Sequence, residues 1–226
     1  MLLWKYFLLA FTALVPLINP IGSALVFLGL VGEIEPPEVY WRLARKIAVA
    51  TVGFLIVIEF MGSLLLSFFG ISLPIVQVAG GLVIAATAWA LLFEKDASAH
   101  DRDRHQEITS GSHTDDDLDG KVFYPFTFPL TAGPGTLVVM LTLSAHASEN
   151  NLTGKAMAHG GIALAVVVLS ASVFFCYGYA PKLIKAISPS VVHGILRVIA
   201  FVLMCIGVQI AWNGLSLLWM SLLFHK

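Results

Sequence analysis

The sequence predicts an all-α, polytopic membrane protein with six transmembrane helices. We expect these helices to form two inverted three-helix repeats, and we expect the first and fourth helices of the chain to be discontinuous. Hydrophobic residues make up 58% of the chain and charged residues only 12%, whereas soluble domains carry about 25% charge. Six apolar stretches each exceed the roughly 20 residues that cross hydrocarbon. Among 13 basic and 14 acidic residues only Glu59 lies inside a stretch, as expected from the cost of burying a charge.

The predicted spans account for most of the chain. The first apolar run continues past Asn19 and Pro20 to Leu30 without a small-residue cleavage site, so we interpret it as a span rather than as a secretory signal peptide. The six spans cover residues 6–30, 47–69, 71–93, 122–145, 158–180 and 198–224.

Two of these spans carry matching interruptions. Residues 16–22 read P-L-I-N-P-I-G and residues 129–135 read P-L-T-A-G-P-G, an offset of 113 positions. Proline removes a backbone donor and glycine loosens a helix, so both helices should break near the middle of the membrane and leave main-chain groups unpaired. Paired breaks in the two halves of a membrane protein point to the binding site of a transporter.

The residues at the breaks could hold a small zwitterion. A half-helix N-terminus offers free amides to a carboxylate, whereas unwound carbonyls and hydroxyls can take an ammonium group. The competing interpretation is that proline and glycine only kink the helices and allow close packing, which is common in membrane bundles. The candidate substrate-binding residues are Asn19, Pro20, Gly22, Thr131, Gly133, Gly135 and Thr136.

A second pair of landmarks suggests an internal duplication. I-S-L-P-I-V-Q opens the third span at Ile71, and I-S-P-S-V-V-H precedes the sixth at Ile187, an offset of 116 residues. Because each half would hold an odd number of spans, the two halves should be inverted relative to each other. Chance similarity between apolar segments is the alternative. The predicted organisation is a first repeat over residues 1–93, an acidic cytoplasmic linker over 94–121 and a second repeat over 122–226.

The linker is rich in acids and nearly devoid of apolar side chains, which predicts a disordered tether. Asp115, Asp117, Asp119 and Gly120 copy the start of a calcium-binding loop, but Phe126 stands where a bidentate glutamate is needed. We therefore expect no metal site and no cofactor. The chain has no basic stripe, so we also expect no nucleic-acid partner.

Lysine and arginine positions predict the orientation in the membrane. Three basic residues, Lys5, Lys155 and Lys226, lie on the side that holds both termini. The other side carries the remaining ten, which are Arg42, Arg45, Lys46, Lys95, Arg102, Arg104, Lys121, Lys182, Lys185 and Arg197. The positive-inside rule then places both termini in the periplasm and the linker in the cytoplasm.

Glu59 is the single carboxylate at membrane depth and lies near the middle of the second predicted span. A buried carboxylate without a partner favours its protonated form, and such a group is suited to carrying a coupling proton. Alternatively, Glu59 could be a neutral acid that is hydrogen-bonded to a neighbouring helix. His146 and His159 flank the connection between the fourth and fifth spans, where we expect them to lie at the membrane interface.

An ordered set of motifs covers nearly the whole chain apart from the linker. The motifs are N-P-I-G from Asn19, F-G-I-S-L-P from Phe69, A-G-G-L from Ala79, T-A-G-P-G-T from Thr131, G-V-Q-I from Gly207 and N-G from Asn213. In these motifs the chain resembles the MarC family of bacterial inner-membrane proteins. The resemblance implies a six-span inner-membrane protein related to small neutral amino-acid transporters, with glycine and alanine as the expected type of substrate. Arg197 matches the family's basic residue before the last span, although Ala200 replaces the usual glycine.

The two breaks and the family resemblance together predict a secondary transporter of small neutral amino acids. Its expected partners are the amino acid, a proton or a sodium ion as the coupling ion, and the lipid bilayer. A passive channel or a lipid-handling protein is the alternative, because re-entrant broken helices also build pores. An intramembrane enzyme is not expected, since the chain has no G-x-S-x-G or H-E-x-x-H motif and no facing aspartates.

Fused reporters test the predicted orientation. A reporter joined after Asp103 should be active in the cytoplasm and one joined at Lys226 in the periplasm, because ten of the 13 basic residues lie on the side of the linker. Paired cytoplasmic and periplasmic reporter enzymes, assayed in intact cells, provide the measurement. The reverse pattern of activities would invert the orientation given above.

Overall fold

The computed structural model describes residues 1–32, 37–93, 115–147, 151–182 and 189–224. Every regular element in these ranges is helical and no strand occurs within them, which confirms the all-α class. The elements are α1 (Leu2–Ile18), α2 (Pro20–Val31), α3 (Glu38–Phe68), α4 (Leu73–Phe93), α5 (Asp115–Gly120), an irregular helical segment (Val122–Thr131), α6 (Pro134–His146), α7 (Leu152–Gly178) and α8 (Pro189–Phe224).

Several of these helices are long and apolar enough to cross a membrane, as expected for a multi-pass membrane protein. Among the described residues there are four, and the bent pair formed by the irregular segment and α6 adds a fifth if it counts as one span. The four are Leu2–Val31, Leu73–Phe93, Leu152–Gly178 and Gly194–Leu223. α3 contains most of the second predicted span but is not one of these four. Six spans and the inverted repeat therefore stay predictions.

The first span is interrupted at Asn19, where α1 ends and α2 begins. Asn19 has a left-handed backbone (φ 43°, ψ 68°), a conformation that asparagine tolerates and that cannot continue a right-handed helix. Pro20 follows as the first residue of α2, the position at which a missing N–H costs least. The predicted discontinuity is thus present, although both helices together still form one 30-residue apolar span.

The fourth span is bent by 71° between the irregular segment and α6. Pro125 and Pro129 each hold the residue before them in an extended conformation, with ψ angles of 122° and 128°. Hydrogen bonds in this segment reach five residues back, as when Thr127 Oγ1 donates to the carbonyl of Val122 at 2.8 Å. The predicted discontinuity of this span is also present, and two prolines with wide helical turns explain it.

Glycines bring the backbones of α4 and α8 into contact. A Cβ atom at Gly81 would lie 2.5 Å from the carbonyl oxygen of Gly207, and one at Gly214 would lie 2.5 Å from that of Pro74. Close approach through small residues is how membrane helices gain packing energy in lipid. Only 11% of the most apolar part of α8 is buried, so its outer surface is suited to lipid contact.

The main core lies between α1, α2, α3, α6 and α7. Helix α7 is central to it, since it packs against α1, α2 and α3. The rings of Phe27, Phe126 and Tyr177 are fully buried there. Phe27 stacks on Tyr177, with ring centroids 4.5 Å apart, and meets Phe126 edge to face at 5.3 Å. This aromatic cluster joins α7 to α2 and to the irregular segment, which adjoin the two breaks.

The acidic linker ends in the short helix α5, whereas the sequence predicts a disordered tether throughout. Leu118 anchors this helix with an exposed fraction of 1%, and Asp119 forms an ion pair of 2.6 Å with Lys46 of α3. These two contacts attach this end of the linker to the main body of the protein. The residues that resemble a calcium loop fall on this helix, and residues 94–114 lie outside the described residues.

Candidate functional site

Asn19 caps the helix that follows the first break. Its Oδ1 accepts a hydrogen bond from the main-chain N–H of Gly22 at 3.1 Å. Gly22 is suited to its position because the folded side chain of Asn19 occupies the space that a Cβ would need. The amide that the sequence predicts as a substrate contact therefore also holds the break in shape. A further contact of Asn19 would use mainly its Nδ2 group.

Main-chain carbonyls at the end of α1 lose their regular helical donors. Pro20 has no N–H group to donate to the carbonyl of Pro16. The N–H group of Gly22 is directed to the Asn19 side chain instead of the carbonyl of Ile18. A helix C-terminus also carries a partial negative charge. The first break thus presents oxygen atoms that are suited to a cationic group.

The second break ends at the N-terminus of α6, which has no side-chain cap. Gly133 is the residue at the capping position, and Pro134 is the first residue of the helix. The amides of Gly135 and Thr136 have no partner inside α6, because the first N–H groups of an α-helix point out of its end. Thr136 Oγ1 is buried and has no partner among the described residues. This helix end offers two amides, a hydroxyl and a partial positive charge.

The two breaks lie side by side. A Cβ atom at Gly135 would come within 3.1 Å of Leu17 Cδ2, at the end of α1, and within 2.6 Å of Ile84 Cγ1 in α4. The C-terminus of α1 and the N-terminus of α6 are therefore neighbours. Because helix ends carry partial charges of opposite sign, the breaks bring a negative helix end next to a positive one.

Tyr177 links the two breaks and was not among the residues predicted from the sequence. Its hydroxyl lies 2.8 Å from Thr131 Oγ1, at the end of the irregular segment. Its ring stacks on Phe27 of α2, the helix that follows the first break. The available signal was a tyrosine inside an otherwise apolar span, because a buried phenol usually has a hydrogen-bond partner.

Glu59 lies closer to the connection between α6 and α7 than to the breaks. Its main-chain carbonyl accepts a hydrogen bond of 2.6 Å from Ser144 Oγ. Ser144 follows Pro134 by ten residues on α6, which is about 15 Å at the helical rise per residue. Glu59 therefore lies near the far end of α6, away from the breaks, and its depth in the membrane stays a prediction.

Glu59 is also paired, with a partner that the sequence did not identify. Its Oε1 lies 3.0 Å from Nδ1 of His159 in α7, and its side chain is fully buried, whereas that of His159 is 26% exposed. Of the two alternatives for Glu59, the structure contains the hydrogen bond to a neighbouring helix. The two residues are separated by 100 positions, so only the packing of α3 against α7 reveals the pair.

Comparison with known proteins identifies the family. The model of the MarC family of integral membrane proteins matches residues 4–219. The chain belongs to the MarC family. It is 28% identical over 222 residues to the inner membrane protein MarC of Salmonella typhimurium and of Salmonella typhi, and 25% identical over 214 residues to that of Escherichia coli O1:K1. Each alignment covers 94% of this chain and 95% of the relative. No solved structure gives a significant match.

Membership of the MarC family confirms the resemblance found in the sequence and establishes that this is a membrane protein. Both breaks fall inside the matched region, as do Glu59 and His159. The site described above is therefore built entirely from the part of the chain that the MarC family model covers.

Replacing Tyr177 by phenylalanine tests the link between the breaks. Tyr177→Phe keeps the stacked ring and removes the hydroxyl that is hydrogen-bonded to Thr131, so the protein should lose about 1–2 kcal/mol of stability. Thermal unfolding in lipid nanodiscs measures this as a lower midpoint. The matched control is Tyr179→Phe on a tyrosine that is 48% exposed, whereas Tyr177 is fully buried. Equal midpoints for the two variants would contradict a structural role of the hydroxyl.

Proposed function

We propose that the protein is a secondary transporter of small neutral amino acids, such as glycine and alanine, and that the two breaks hold the substrate. The observation that carries this proposal is the contact between the breaks, where Leu17 of α1 meets Gly135 of α6. An amino acid at neutral pH carries a carboxylate and an ammonium group on the same carbon. Two adjacent helix ends of opposite sign can bind both groups without a buried charged side chain.

The N-terminus of α6 is the proposed seat of the substrate carboxylate. The amides of Gly135 and Thr136 are directed out of the helix, and an anion at such a position is stabilised by both the amides and the helix dipole. Thr136 Oγ1 supports the same assignment. A buried hydroxyl without a protein partner is uncommon, and a carboxylate oxygen would be a suitable acceptor for it.

The C-terminus of α1 is the proposed seat of the substrate ammonium group. An ammonium group has three donors and no acceptor, so it requires a set of oxygen atoms. The carbonyls of Pro16 and Ile18 lack their regular helical donors, as described above, and the partial charge of the helix end is negative. Asn19 fixes the end of this helix through its cap to Gly22.

Close packing around the breaks favours a small substrate. Gly135 is enclosed by Leu17 and Ile84, and Gly22 is covered by the side chain of Asn19. A substrate with a long side chain would have to displace these groups, whereas glycine or alanine adds little volume. The resemblance to the MarC family led independently to the same class of substrate.

We further propose that the protein resides in the bacterial inner membrane with both termini in the periplasm, and that it couples transport to an ion gradient rather than catalysing a reaction. The names of the Salmonella and Escherichia relatives, which are inner membrane proteins, support the location. The distribution of basic residues supports the orientation.

Counterflow in proteoliposomes tests the proposed activity. Vesicles loaded with unlabelled glycine or alanine should transiently accumulate the labelled amino acid, because a carrier exchanges one molecule for the other. Serine, threonine and leucine form a size series in the same assay, and leucine should be the poorest substrate. Uptake that only equilibrates would indicate a channel, and no uptake of any small amino acid would reject the transporter.

Replacing Thr136 by valine tests the proposed site. Thr136→Val keeps the branched shape and removes the hydroxyl, so the half-saturating substrate concentration should rise about ten- to a hundredfold, the effect of losing one hydrogen bond to a charged group. The matched control is Thr87→Val, on the exposed face of α4, which should keep wild-type counterflow. If both substitutions changed the half-saturating substrate concentration equally, the proposal that Thr136 binds the substrate would be rejected.

A further inference from the structure

A second polar site lies at the α6–α7 end of the molecule, away from the breaks. A cavity of about 240 Å³ opens there beside the carboxyl group of Glu59. Two other titratable residues line it, His159 and Lys155, both on α7. The remaining lining residues come from α3 and from the end of α6, and include Phe60 and Ser144. An acid, an imidazole and an ammonium group therefore meet in one cavity.

Glu59 is held at one oxygen and unpaired at the other. Oε1 lies 3.0 Å from Nδ1 of His159, whereas Oε2 is buried and has no partner in the part of the chain that the structure describes. Ser144 fixes the main chain of Glu59 from α6. The ring of Phe60 lies 5.4 Å from the imidazole of His159 and supports it. The pair thus has a defined geometry set by three helices.

We propose that Glu59 and His159 together bind one exchangeable proton, and that this proton drives transport through the breaks. The second part rests on the function proposed above, whereas the first part does not. Neither residue touches the breaks, since the pair lies at the far end of α6. The proton site would therefore act on substrate binding through the packing of α3, α6 and α7.

The proton count of the pair explains how it can release and recover a proton. With the proton bound, the pair is a carboxylic acid whose O–H group donates to Nδ1 of a neutral imidazole. This form has no net charge, and its carboxyl proton can pass to Nδ1 within the hydrogen bond. When the proton leaves from Nε2 to water in the cavity, a carboxylate remains, hydrogen-bonded to the N–H group at Nδ1, and the pair carries one negative charge.

The exposure of the two residues defines the route of the proton. The Glu59 side chain has no exposed surface, whereas that of His159 is 26% exposed. The imidazole is therefore the entry point from the cavity, and the carboxyl group is the buried end. In the orientation proposed above, the cavity opens toward the periplasm, because it lies on the side of the termini.

The surrounding charges favour a proton over a metal cation. At this end of the described bundle, the helices packed against α3 contribute two further titratable groups, Lys155 on α7 and His146 on α6. The ring of His146 is engaged with the carbonyl of Thr142 through Nδ1 at 2.7 Å. Lys155 lies one turn from His159 and would repel a sodium ion, but its charge stabilises the pair after the proton has left.

Infrared difference spectroscopy tests the proton site without any substrate. The protein in lipid should show a protonated carboxyl band that disappears as the pH rises, and this band should be lost in Glu59→Gln. His159→Gln should shift the pH at which the band disappears. Glu38→Gln, at the exposed start of the same helix, is the matched control and should leave the band unchanged.

Three outcomes of that measurement would overturn the proton site. They are the absence of a pH-dependent carboxyl band, a band that persists in Glu59→Gln, and a band that responds to sodium at constant pH but not to pH. If Glu59→Gln does not fold, the pH at which the carboxyl band disappears in His159→Gln becomes the test, because this variant still contains Glu59. If the band disappears at the same pH in His159→Gln as in the wild-type protein, the proposal that Glu59 and His159 bind the proton together is rejected.

Transport assays then test the coupling role separately. Glu59→Gln should retain counterflow of glycine or alanine and lose accumulation driven by a pH gradient, whereas Glu38→Gln should retain both. Unchanged accumulation in Glu59→Gln would reject coupling through this pair. If wild-type protein shows no amino-acid counterflow, the proposed function fails, while the infrared result still decides whether Glu59 and His159 bind a proton.

Discussion

The absence of water from the membrane interior is the constraint on which this structure depends, because every main-chain group at a broken helix must find a partner there. The chain meets this requirement unevenly. At the first break Asn19 caps Gly22, and in the irregular segment Thr127 bonds a main-chain carbonyl. At the N-terminus of α6, Gly133 stands where a capping side chain would normally be. The uncapped amides of α6 are what turn a packing irregularity into a candidate binding site.

The breaks also lie where two groups of helices meet. Helices α4 and α8 pack through glycines into one pair, whereas α1, α2, α3, α6 and α7 enclose the main core. Gly135 lies between these groups, since it is enclosed by Leu17 on one side and by Ile84 on the other. Tyr177 joins α7 to both breaks, through its hydrogen bond to Thr131 and its stacking on Phe27 of α2. A transporter that alternates by rocking one group against the other would expose a substrate at this junction.

The two breaks could be predicted from local chemistry, whereas the contacts that depend on long-range packing could not. Proline and glycine act on the backbone wherever the chain runs, so the sequence alone located both interruptions and Gly135. The pairing of Glu59 with His159 depends on the register of α3 against α7, which no local pattern encodes, so the sequence left open whether Glu59 was unpaired or hydrogen-bonded to a neighbouring helix. The bridge from Tyr177 to Thr131 was missed for the same reason. The helix around Leu118 escaped prediction because it needs the main body to pack against.

Cysteine labelling at position 136 tests the central claim most directly, which is that the breaks form a substrate site rather than a packed kink. The two native cysteines, Cys176 and Cys205, are free and would first be replaced by alanine. Thr136→Cys should then react with a membrane-impermeant thiol reagent from one side of the membrane, and glycine or alanine should slow the reaction. Thr87→Cys, on the exposed face of α4, should not be protected. A cysteine at position 136 that is unreactive from both sides, or whose labelling no small amino acid changes, would contradict the account.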